Sequence, residues 1–568
     1  MPNIESCRER IISEDYRDFI TGQFDEQIFS ELSAEETCEQ NVGFLYRSIY
    51  VDKEIAAPID FGKYPYNSVP NCYTLIGTES LFQAGILQIQ NYPNLELMGD
   101  GVMIGFVDTG IDYENAVFRN LDGSTRIAGI WDQTIQDGRP PEGFFYGTEY
   151  TQEEIDAALE SQAPKTIVPT TDTNGHGTVL ASVAAGGADE ESQFLGAAPE
   201  ASIAVVKLKP AKRYLREFYL IKEDAPCYQE NDIMLGVQYL LDLAEKRQMP
   251  LVLCVALGTN QGSHDGTSPL AGMLEIVANT TNRALVIGVG NEANQRHHYY
   301  GKAENINDIK EVEIRVGDDV SGFCVELWTD IPNLMAVSVQ SPSGERIEQV
   351  SIRRNTTEVY DFVLDGTRLT LNYIVLVENS NTELVFMRFD RPVSGNWKIV
   401  VTPLLLAQGI FHMWLPVTEF LDNDVYFLEP NPDYTITEPG NIISGITTAY
   451  YNGNENSIAI QSGRGYTKSN RVKPDLAAPG VDVSGVAQNN RSVIRSGSSI
   501  AAGITTGAAA LLMEWIVYRL DRQMPDAMQI RNLLILGAKK RPDEEYPNRE
   551  WGYGKLNLYN TFDVLRRI

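Results

Sequence analysis

The chain has few positive charges for its length. Of its 568 residues, 46 are Lys or Arg and 77 are Asp or Glu, which leaves a formal net charge of −31. A protein with this excess of negative charge repels phosphate backbones and anionic lipid headgroups. We therefore expect neither nucleic acid nor an anionic membrane surface among its partners.

Cysteine and histidine are also scarce. The six cysteines lie far apart and form no CxxC pair, which is typical of reduced structural thiols rather than of a disulfide framework or a zinc site. No loop has the acidic spacing of an EF-hand, so we expect no metal and no cofactor. The cysteines are Cys7, Cys38, Cys72, Cys227, Cys254 and Cys324, and the histidines are His176, His264, His297, His298 and His412.

The sequence lacks two kinds of hydrophobic segment. Residues 1–20 are rich in charge and have no apolar core of the kind found in a Sec signal peptide. No run of 18 apolar residues indicates a membrane span. We therefore expect synthesis in the cytoplasm without a Sec signal, and no membrane span.

The pattern between residues 101 and 301 predicts a doubly wound, parallel α/β sheet. Continuous apolar runs, which are typical of strands buried on both faces, alternate with segments of helical periodicity. The acidic segment 148–160 is predicted to be an exposed helix. The predicted strands are residues 102–107, 201–207, 250–256 and 284–289.

Between residues 302 and 437 the pattern changes to short alternating runs separated by turns. This spacing is typical of an antiparallel β-sandwich, which would either stabilise the fold or bind a ligand such as a glycan. The α/β pattern resumes at residue 438. We therefore predict a small α/β unit of residues 1–75, an α/β domain in two parts (76–301 and 438–568) and an inserted β domain of residues 302–437.

Four polar residues stand at strand ends or helix starts in this pattern. Asp108 ends the first predicted strand of the α/β domain, and Asn291 follows the fourth. His176 and Ser499 lie close behind glycines, each at the start of a small-residue helix. Each has an ordinary structural explanation, and a serine at a helix start is often only an N-cap. Nevertheless, α/β folds place their chemistry at the C-terminal ends of their strands.

Together the four residues have the groups that a serine nucleophile requires. A serine hydroxyl attacks a carbonyl when an imidazole removes its proton, and the imidazole needs a carboxylate to hold its tautomer and its charge. Ser499, His176 and Asp108 could supply these groups. The side-chain amide of Asn291 and the backbone N–H of Ser499 could donate to the resulting oxyanion. The set predicts nucleophilic attack on a carbonyl carbon, as in acyl transfer.

The segments around these residues resemble the motifs of the subtilisin-like serine proteases, or subtilases. Asp108-Thr109-Gly110 is similar to the Asp box of the family, and the order Asp, His, Ser is that of subtilisin. The His box of the family is matched by residues 174–178, its oxyanion segment by residues 290–292 and its Ser box by residues 497–501, each as a resemblance. The resemblance covers residues 100–300 and 440–568, and it implies an active serine endopeptidase.

The resemblance also implies roles for five residues in holding the substrate. Ala256, Leu257 and Gly258 would pair with the backbone of an extended substrate as an added strand. Gly288 and Gly290 would leave room for the substrate side chain that precedes the cut.

Residues 1–75 would be a propeptide in such a protease. It would act as a folding chaperone and an inhibitor, and the protease would cut it off near residues 73–76. After that cut the propeptide could be retained in the active-site cleft.

A narrower resemblance is to the clostridial spore-germination proteases of the Csp type. Shared features are the segments 126–133 and 207–219, the β insertion and the segment 551–554. The resemblance implies a jelly-roll-like insert, a spore-associated protein and a cortex-lytic enzyme precursor as substrate. Two other hypotheses stay open: a subtilase outside sporulation, and a propeptide-locked pseudoprotease that acts by binding.

Overall fold

A nine-stranded sheet lies at the centre of the structure, a computed structural model. The structure describes residues 4–22, 37–43, 45–56, 58–75, 83–92, 95–189, 194–348, 356–422, 424–520 and 524–567. In residues 4–75 the elements are α1 (Ile4–Ile12), β1 (Tyr16–Gly22), β2 (Thr37–Val42), β3 (Tyr46–Asp52), α2 (Lys53–Ala56) and β4 (Cys72–Leu75).

The next part of the chain supplies most of the central sheet. Its elements are α3 (Ile86–Gln90), β5 (Met103–Asp108), β6 (Ile127–Asp132), β7 (Thr148–Thr151), α4 (Gln152–Glu160), α5 (His176–Ala185), β8 (Ser202–Lys207), α6 (Arg213–Phe218), β9 (Tyr228–Gln229), α7 (Glu230–Arg247), β10 (Leu251–Val255), β11 (Leu257–Gly258), α8 (Pro269–Ala278) and β12 (Arg283–Gly288).

The insert and the C-terminal part complete the element order. The insert contains β13 (His298–Lys302), β14 (Lys310–Val316), β15 (Gly322–Asp330), β16 (Leu334–Gln340), β17 (Arg346–Ile347), β18 (Thr356–Phe362), β19 (Thr367–Ile374), β20 (Thr382–Asp390), β21 (Gly395–Leu405), β22 (Ile410–Trp414) and β23 (Val425–Phe427). Then follow β24 (Ile446–Asn452), β25 (Ser457–Ile458), β26 (Leu476–Pro479), β27 (Val483–Ala487), β28 (Arg491–Arg495), α9 (Ser498–Glu514), α10 (Ala527–Leu536) and α11 (Leu558–Leu565).

The central sheet is parallel except at its margins. Its order is β25-β24-β12-β10-β5-β8-β6-β7, with β26 beside β24, and only the pairs β6–β7 and β24–β25 are antiparallel. Helices α5 and α9 cover one face and helices α7 and α8 cover the other. The predicted α/β fold is confirmed. One prediction was partly wrong, because Thr148–Thr151 is an edge strand and only Gln152–Glu160 is helical.

The insert consists of two antiparallel sheets that bury one common core. Their orders are β13-β22-β15-β20-β19-β18 and β17-β16-β21-β14-β23. Alternate side chains of both sheets meet inside, as in a sandwich, and include Phe323, Trp397 and Phe411. The insert thus has its own hydrophobic core, separate from the cores on the two faces of the central sheet.

The described part of residues 4–56 forms a small unit, and residues 58–75 follow it as a tail. The two together are here called the N-terminal unit. Strands β1, β3 and β2 make an antiparallel sheet in that order, and α1 packs beside it. A disulfide joins Cys7 of α1 to Cys38 of β2, whose Cα atoms are 5.5 Å apart. The expectation of reduced cysteines was therefore wrong for this pair. The spacing of the cysteines in the sequence did not reveal this disulfide, because the packing of α1 against the sheet brings Cys7 to Cys38.

The N-terminal unit, the α/β domain and the insert share a fourth hydrophobic core. Three of its rings come from the three parts: Phe61 of the tail, Phe218 of α6 and Phe386 of β20. The ring centroid of Phe61 lies 4.9 Å from that of Phe386 and 5.2 Å from that of Phe218. No one part of the chain could bury these side chains alone.

Helix α9 runs through the centre of the α/β domain. Within the described ranges, the helical stretch Ser498–Arg519 alone is long and apolar enough to cross a membrane by length and composition. However, 89% of its apolar window is buried inside the fold, as is usual for the core helix of a globular protein.

We expect Phe386→Ala to lower the melting temperature of the whole protein. Phe386 is 1% exposed, and truncating such a ring costs about 3–5 kcal/mol because it leaves a cavity. Val359→Ala, on an exposed side chain of β18 in the same sheet, is the matched control and should leave the melting temperature unchanged. Equal melting temperatures for parent and Phe386→Ala would contradict the shared core.

Candidate active site

The structure brings Asp108, His176 and Ser499 together at one edge of the central sheet. The imidazole Nδ1 of His176 lies 2.8 and 3.0 Å from the two carboxylate oxygens of Asp108. Its Nε2 lies 3.0 Å from Oγ of Ser499. Both contacts are satisfied by the tautomer with its proton on Nδ1, in which Nε2 accepts from the Ser499 hydroxyl. Asp108 and Ser499 are buried, whereas the His176 side chain is 13% exposed.

Glycine allows the turn after β5 and the start of α5 to approach each other. A Cβ atom on Gly177 would lie 2.2 Å from the carbonyl oxygen of Gly110. Thr109 links the two segments, because its N–H donates to Asp108 at 2.7 Å and its hydroxyl accepts from the N–H of Gly177 at 3.0 Å. The imidazole is therefore held against the carboxylate by backbone contacts on both sides.

A buried carboxylate that the sequence did not single out holds the loop before His176. Asp172 accepts hydrogen bonds from the N–H of Gly175 at 2.8 Å and from the N–H and hydroxyl of Thr178 at 2.9 and 2.7 Å. Gly175 has a φ of 90°, which few other residues adopt without strain. Asp172 thus fixes the first turn of α5, on which the imidazole is carried.

Ser499 stands in the first turn of α9. Gly497 precedes this helix with a φ of 138°, a conformation that favours glycine. The N–H groups of the first turn have no acceptor within the helix, and they point toward the positive end of its dipole. An anion formed beside Ser499 would therefore meet both a donor and a favourable field.

Asn291 lies beside the same helix start. Its side-chain oxygen accepts a hydrogen bond of 3.2 Å from the N–H of Ser498. The Ser498 hydroxyl in turn accepts from the N–H of Gly290 at 3.1 Å. These bonds tie the end of strand β12 to α9, and they leave the Asn291 amide nitrogen available as a donor. The position suits stabilisation of an oxyanion at Ser499.

The tail of the N-terminal unit lies against the expected substrate strand. In β11, Leu257 and Gly258 pair antiparallel with Leu75 and Thr74 of β4. Ala256, which was expected to join them, is buried next to this strand but makes no pair with β4 in the described register. The chain's own tail therefore occupies the place in which an extended substrate backbone was expected.

A second strand on the other side of β4 was missed in the sequence. Strand β9 pairs antiparallel with β4, joining Gln229 to Cys72 and Tyr228 to Tyr73. The tail is thus the middle strand of a three-stranded sheet, β11-β4-β9. A strand of two residues has no periodicity that sequence analysis can detect, and here only the pairing defines it.

The glycines predicted to leave room for a substrate side chain lie close to Thr437 and Ser498. A Cβ atom on Gly290 would lie 2.6 Å from Cγ2 of Thr437, and one on Gly258 would lie 2.4 Å from its Oγ1. A Cβ atom on Gly288 would lie 3.1 Å from the carbonyl oxygen of Ser498. Thr437, which the sequence did not indicate, therefore lies between the two glycines. Its buried Oγ1 has no hydrogen-bond partner.

The described residues offer no obvious metal centre. No group of three or more His, Cys, Asp or Glu side chains in these ranges is arranged to hold an ion. The histidines outside the site are buried in other contacts. His264, for example, stacks on Trp414 with ring centroids 4.0 Å apart, and burial lowers its pKa to about 4.

Two curated relatives match parts of this chain. The membrane-bound transcription factor site-1 protease of Mus musculus is 30% identical over 117 residues, which are 20% of this chain and 11% of that protein. The subtilisin-like protease SBT4.10 of Arabidopsis thaliana is 22% identical over 385 residues, which are 60% of this chain and 43% of that protein. The chain thus spans less than half the length of either relative.

A solved structure and a family profile match much more of the chain. The structure of the CspB protease of Clostridium perfringens has a TM-score of 0.76 and 28% identity, covering 86% of this chain and 99% of that one. The profile of the Subtilase family matches residues 99–384 and 418–554, well over half of the chain. These residues carry Asp108, His176, Asn291 and Ser499, and the chain belongs to the subtilase family.

Proposed function

We propose that this chain is a serine endopeptidase in which Ser499 is the nucleophile. The hydrogen-bonded series from Asp108 through His176 to Ser499 is the observation that carries the proposal. His176 takes the hydroxyl proton as Ser499 attacks the scissile carbonyl, and Asp108 stabilises the imidazolium that forms. The same imidazole then gives its proton to the leaving amine. Water then attacks the acyl-enzyme through the same proton transfers and releases the product.

Asn291 is the side-chain donor to the oxyanion in this proposal. In the proposal the amide nitrogen of Asn291 and the N–H of Ser499 both donate to the oxyanion. Donors fixed before the reaction stabilise the developing charge without having to reorganise. Ser498 and Gly290 act as positioning residues, because their hydrogen bonds fix the positions of the two donors relative to each other.

Residues 1–75 are proposed to be a propeptide that the enzyme cuts from itself and then retains. The position of β4 between β9 and β11 supports the cut, since this is how a substrate backbone would be held. Of the proposed cleavage region 73–76, residue 76 lies outside the described residues. Cleavage after Leu75, the last residue of the proposed propeptide, would leave all of β4 on the propeptide fragment.

Buried polar contacts support retention after the cut. Asp18 of β1 forms an ion pair with Lys212, and both are buried between the N-terminal unit and the α/β domain. The other carboxylate oxygen of Asp18 accepts from the side-chain amide of Gln229 at 2.7 Å. Tyr66 of the tail donates its hydroxyl to Glu326 of the insert at 3.0 Å. These contacts pair every one of the named groups across the interface, so the interface buries none of these charges without a partner.

The substrate proposed for the enzyme is a cortex-lytic enzyme precursor cut during spore germination. Two observations support it: the Csp-type features of the sequence and the likeness in fold to the CspB protease. In the same proposal the protein is associated with the spore. The insert is proposed to be a jelly-roll-like domain that stabilises the protease, since it contributes side chains to the shared core.

A second candidate function is a pseudoprotease that binds without cutting. The tail strand in the cleft favours it, because a bound tail excludes other substrates. A fluorophosphonate probe separates the candidates: labelling that requires Ser499 and His176 indicates an enzyme.

Self-cleavage is tested by the intact mass of the parent and Ser499→Ala proteins. We expect two fragments from the parent, whose masses sum to that of the whole chain plus one water, and one uncut chain from Ser499→Ala. Ser492→Ala, on an exposed residue of β28, is the matched control and should be cut like the parent. Uncut chains in both the parent and Ser499→Ala would contradict self-processing.

Asn291→Ala should slow self-cleavage by roughly 10²–10³-fold, the loss that subtilisin shows when its oxyanion asparagine is removed. The time course of cut and uncut chain after refolding measures this rate. Asn291→Asp keeps the oxygen that accepts from Ser498 but loses the amide donor, so it should be at least as slow. Full activity of Asn291→Asp would show that anchoring Ser498, rather than donating to the oxyanion, is what matters.

Thr437→Ala should shift the cleavage preference toward larger residues before the cut. Removing Oγ1 and Cγ2 opens the space between Gly258 and Gly290. The measurement is the set of sites cut in a peptide mixture by each enzyme once its N-terminal fragment has been removed. Thr437→Val, which keeps the volume, should retain the preference of the parent. The same preference in Thr437→Ala and the parent would exclude Thr437 from the pocket.

A further inference from the structure

Two of the free cysteines lie where the tail meets the rim of the cleft. Cys72 begins β4, and Cys227 directly precedes β9. In the antiparallel register Cys72 is opposite Gln229. Side chains two residues apart on a strand share a face, so Cys227 is the diagonal neighbour of Cys72 on the face that also carries Gln229.

Cys72 and Cys227 both lie in the core shared by the three parts of the chain, and they are 0% and 2% exposed. The thiol of Cys227 is near enough to raise the pKa of the Cys72 thiol. The other two free cysteines have different surroundings: Cys324 donates to the carbonyl oxygen of Tyr219 at 3.5 Å, and Cys254 belongs to strand β10 of the central sheet. Among the free cysteines of the described residues, Cys72 and Cys227 are thus the pair that lies along neighbouring strands, here called the dithiol.

The backbone on both sides of this dithiol is held in place. The N–H of Cys72 donates to the side chain of Gln261 at 2.8 Å, and the N–H of Asn71 donates to Glu230 at 3.2 Å. The carbonyl of Cys227 accepts from the N–H of Ala211 at 2.8 Å. Strand pairing and these hydrogen bonds therefore fix the backbone that carries the two thiols.

We propose that Cys72 and Cys227 are a redox latch that ties the N-terminal unit to the rim of the cleft. The proposal rests on the proposed function, because only a chain cut after β4 has a separate N-terminal fragment to retain. With the disulfide formed, the cut fragment stays covalently attached and the cleft stays occupied. With both thiols reduced, only non-covalent contacts hold the fragment.

The oxidant in this proposal is a low-molecular-weight disulfide. The thiolate of one cysteine attacks a sulfur of that disulfide, forms a mixed disulfide and releases one thiol. The second cysteine, as its thiolate, attacks the protein-bound sulfur and releases the second thiol. Two protein thiols and one small disulfide thus become one protein disulfide and two small thiols, and the two electrons pass to the reagent.

Burial decides when the latch can change state. Burial raises the pKa of the Cys72 thiol well above its usual value, and the neighbouring Cys227 raises it further. A buried thiol held protonated reacts slowly, because the thiolate is the nucleophile. Exchange therefore takes place when the tail lifts from β9, and the disulfide is shielded once the tail has docked again.

The test uses full-length, self-cleaved protein incubated with oxidised or reduced glutathione. We expect the oxidised fragments to run as one band on a denaturing gel without reductant and as two bands with it. Cys72→Ser and Cys227→Ser should each give two bands under both conditions. Cys324→Ser, in the same core, is the matched control and should behave like the parent. Two bands from oxidised parent without reductant would overturn the latch.

Peptide mapping distinguishes failure of the redox latch from failure of the proposed self-cleavage. In the uncut Ser499→Ala chain, oxidation should link the peptides that contain Cys72 and Cys227, in addition to those that contain Cys7 and Cys38. Linked peptides with no self-cleavage in the parent would refute the cut and leave the dithiol site intact. Self-cleavage with both thiols still open to alkylation after oxidation would refute the latch alone.

A functional readout tests the consequence for the cleft. Reduction of the oxidised parent should raise the rate of fluorophosphonate labelling at Ser499 by roughly 10²-fold, the lower end of what tethering contributes to binding. The rate for Cys72→Ser should be the same in oxidised and reduced glutathione. An equal labelling rate for oxidised and reduced parent would overturn the inhibitory role of the latch.

Discussion

The burial of side chains from three parts of the chain in one common core is the constraint on which the occupied cleft depends. Phe61, Phe218 and Phe386 come from the N-terminal unit, the α/β domain and the insert, and each ring packs against the other two. Removing any one part would expose apolar surface on the other two, at about 25 cal/mol per Å². The core therefore holds the tail beside the cleft, and strands β9 and β11 hold its backbone within it.

Burial also explains the pairing of the polar groups in these contacts. Asp18 and Lys212 lie out of water, so the carboxylate and the ammonium need each other and the amide of Gln229. The same rule operates at the nucleophile, where buried Asp108 accepts from His176 and from the backbone of Thr109. In the first case the pairing secures an interface. In the second it holds an imidazole in the tautomer that can take a proton.

Functional residues inside short sequence motifs could be predicted. Residues that reach the site through contacts between distant segments could not. Asp108, His176, Asn291 and Ser499 each stand beside glycines or at a strand end, because a tight turn must present the side chain. Thr437 carries no such signal, since it meets Gly258 and Gly290 only after the chain has passed through the insert. The cysteines show the same limit. Cys7 and Cys38 pair through neighbouring elements, which their isolated positions in the sequence do not indicate.

The amino-acid sequence by itself determined the α/β class, the strand ends that carry polar side chains and the family motifs around them. These features depend on periodicity and turn chemistry within a few residues. Tertiary structure alone decided that β4 lies between β9 and β11, and that Cys72 and Cys227 share one buried core. Such contacts join segments more than 150 residues apart. They follow from register and shared burial, which no local pattern records.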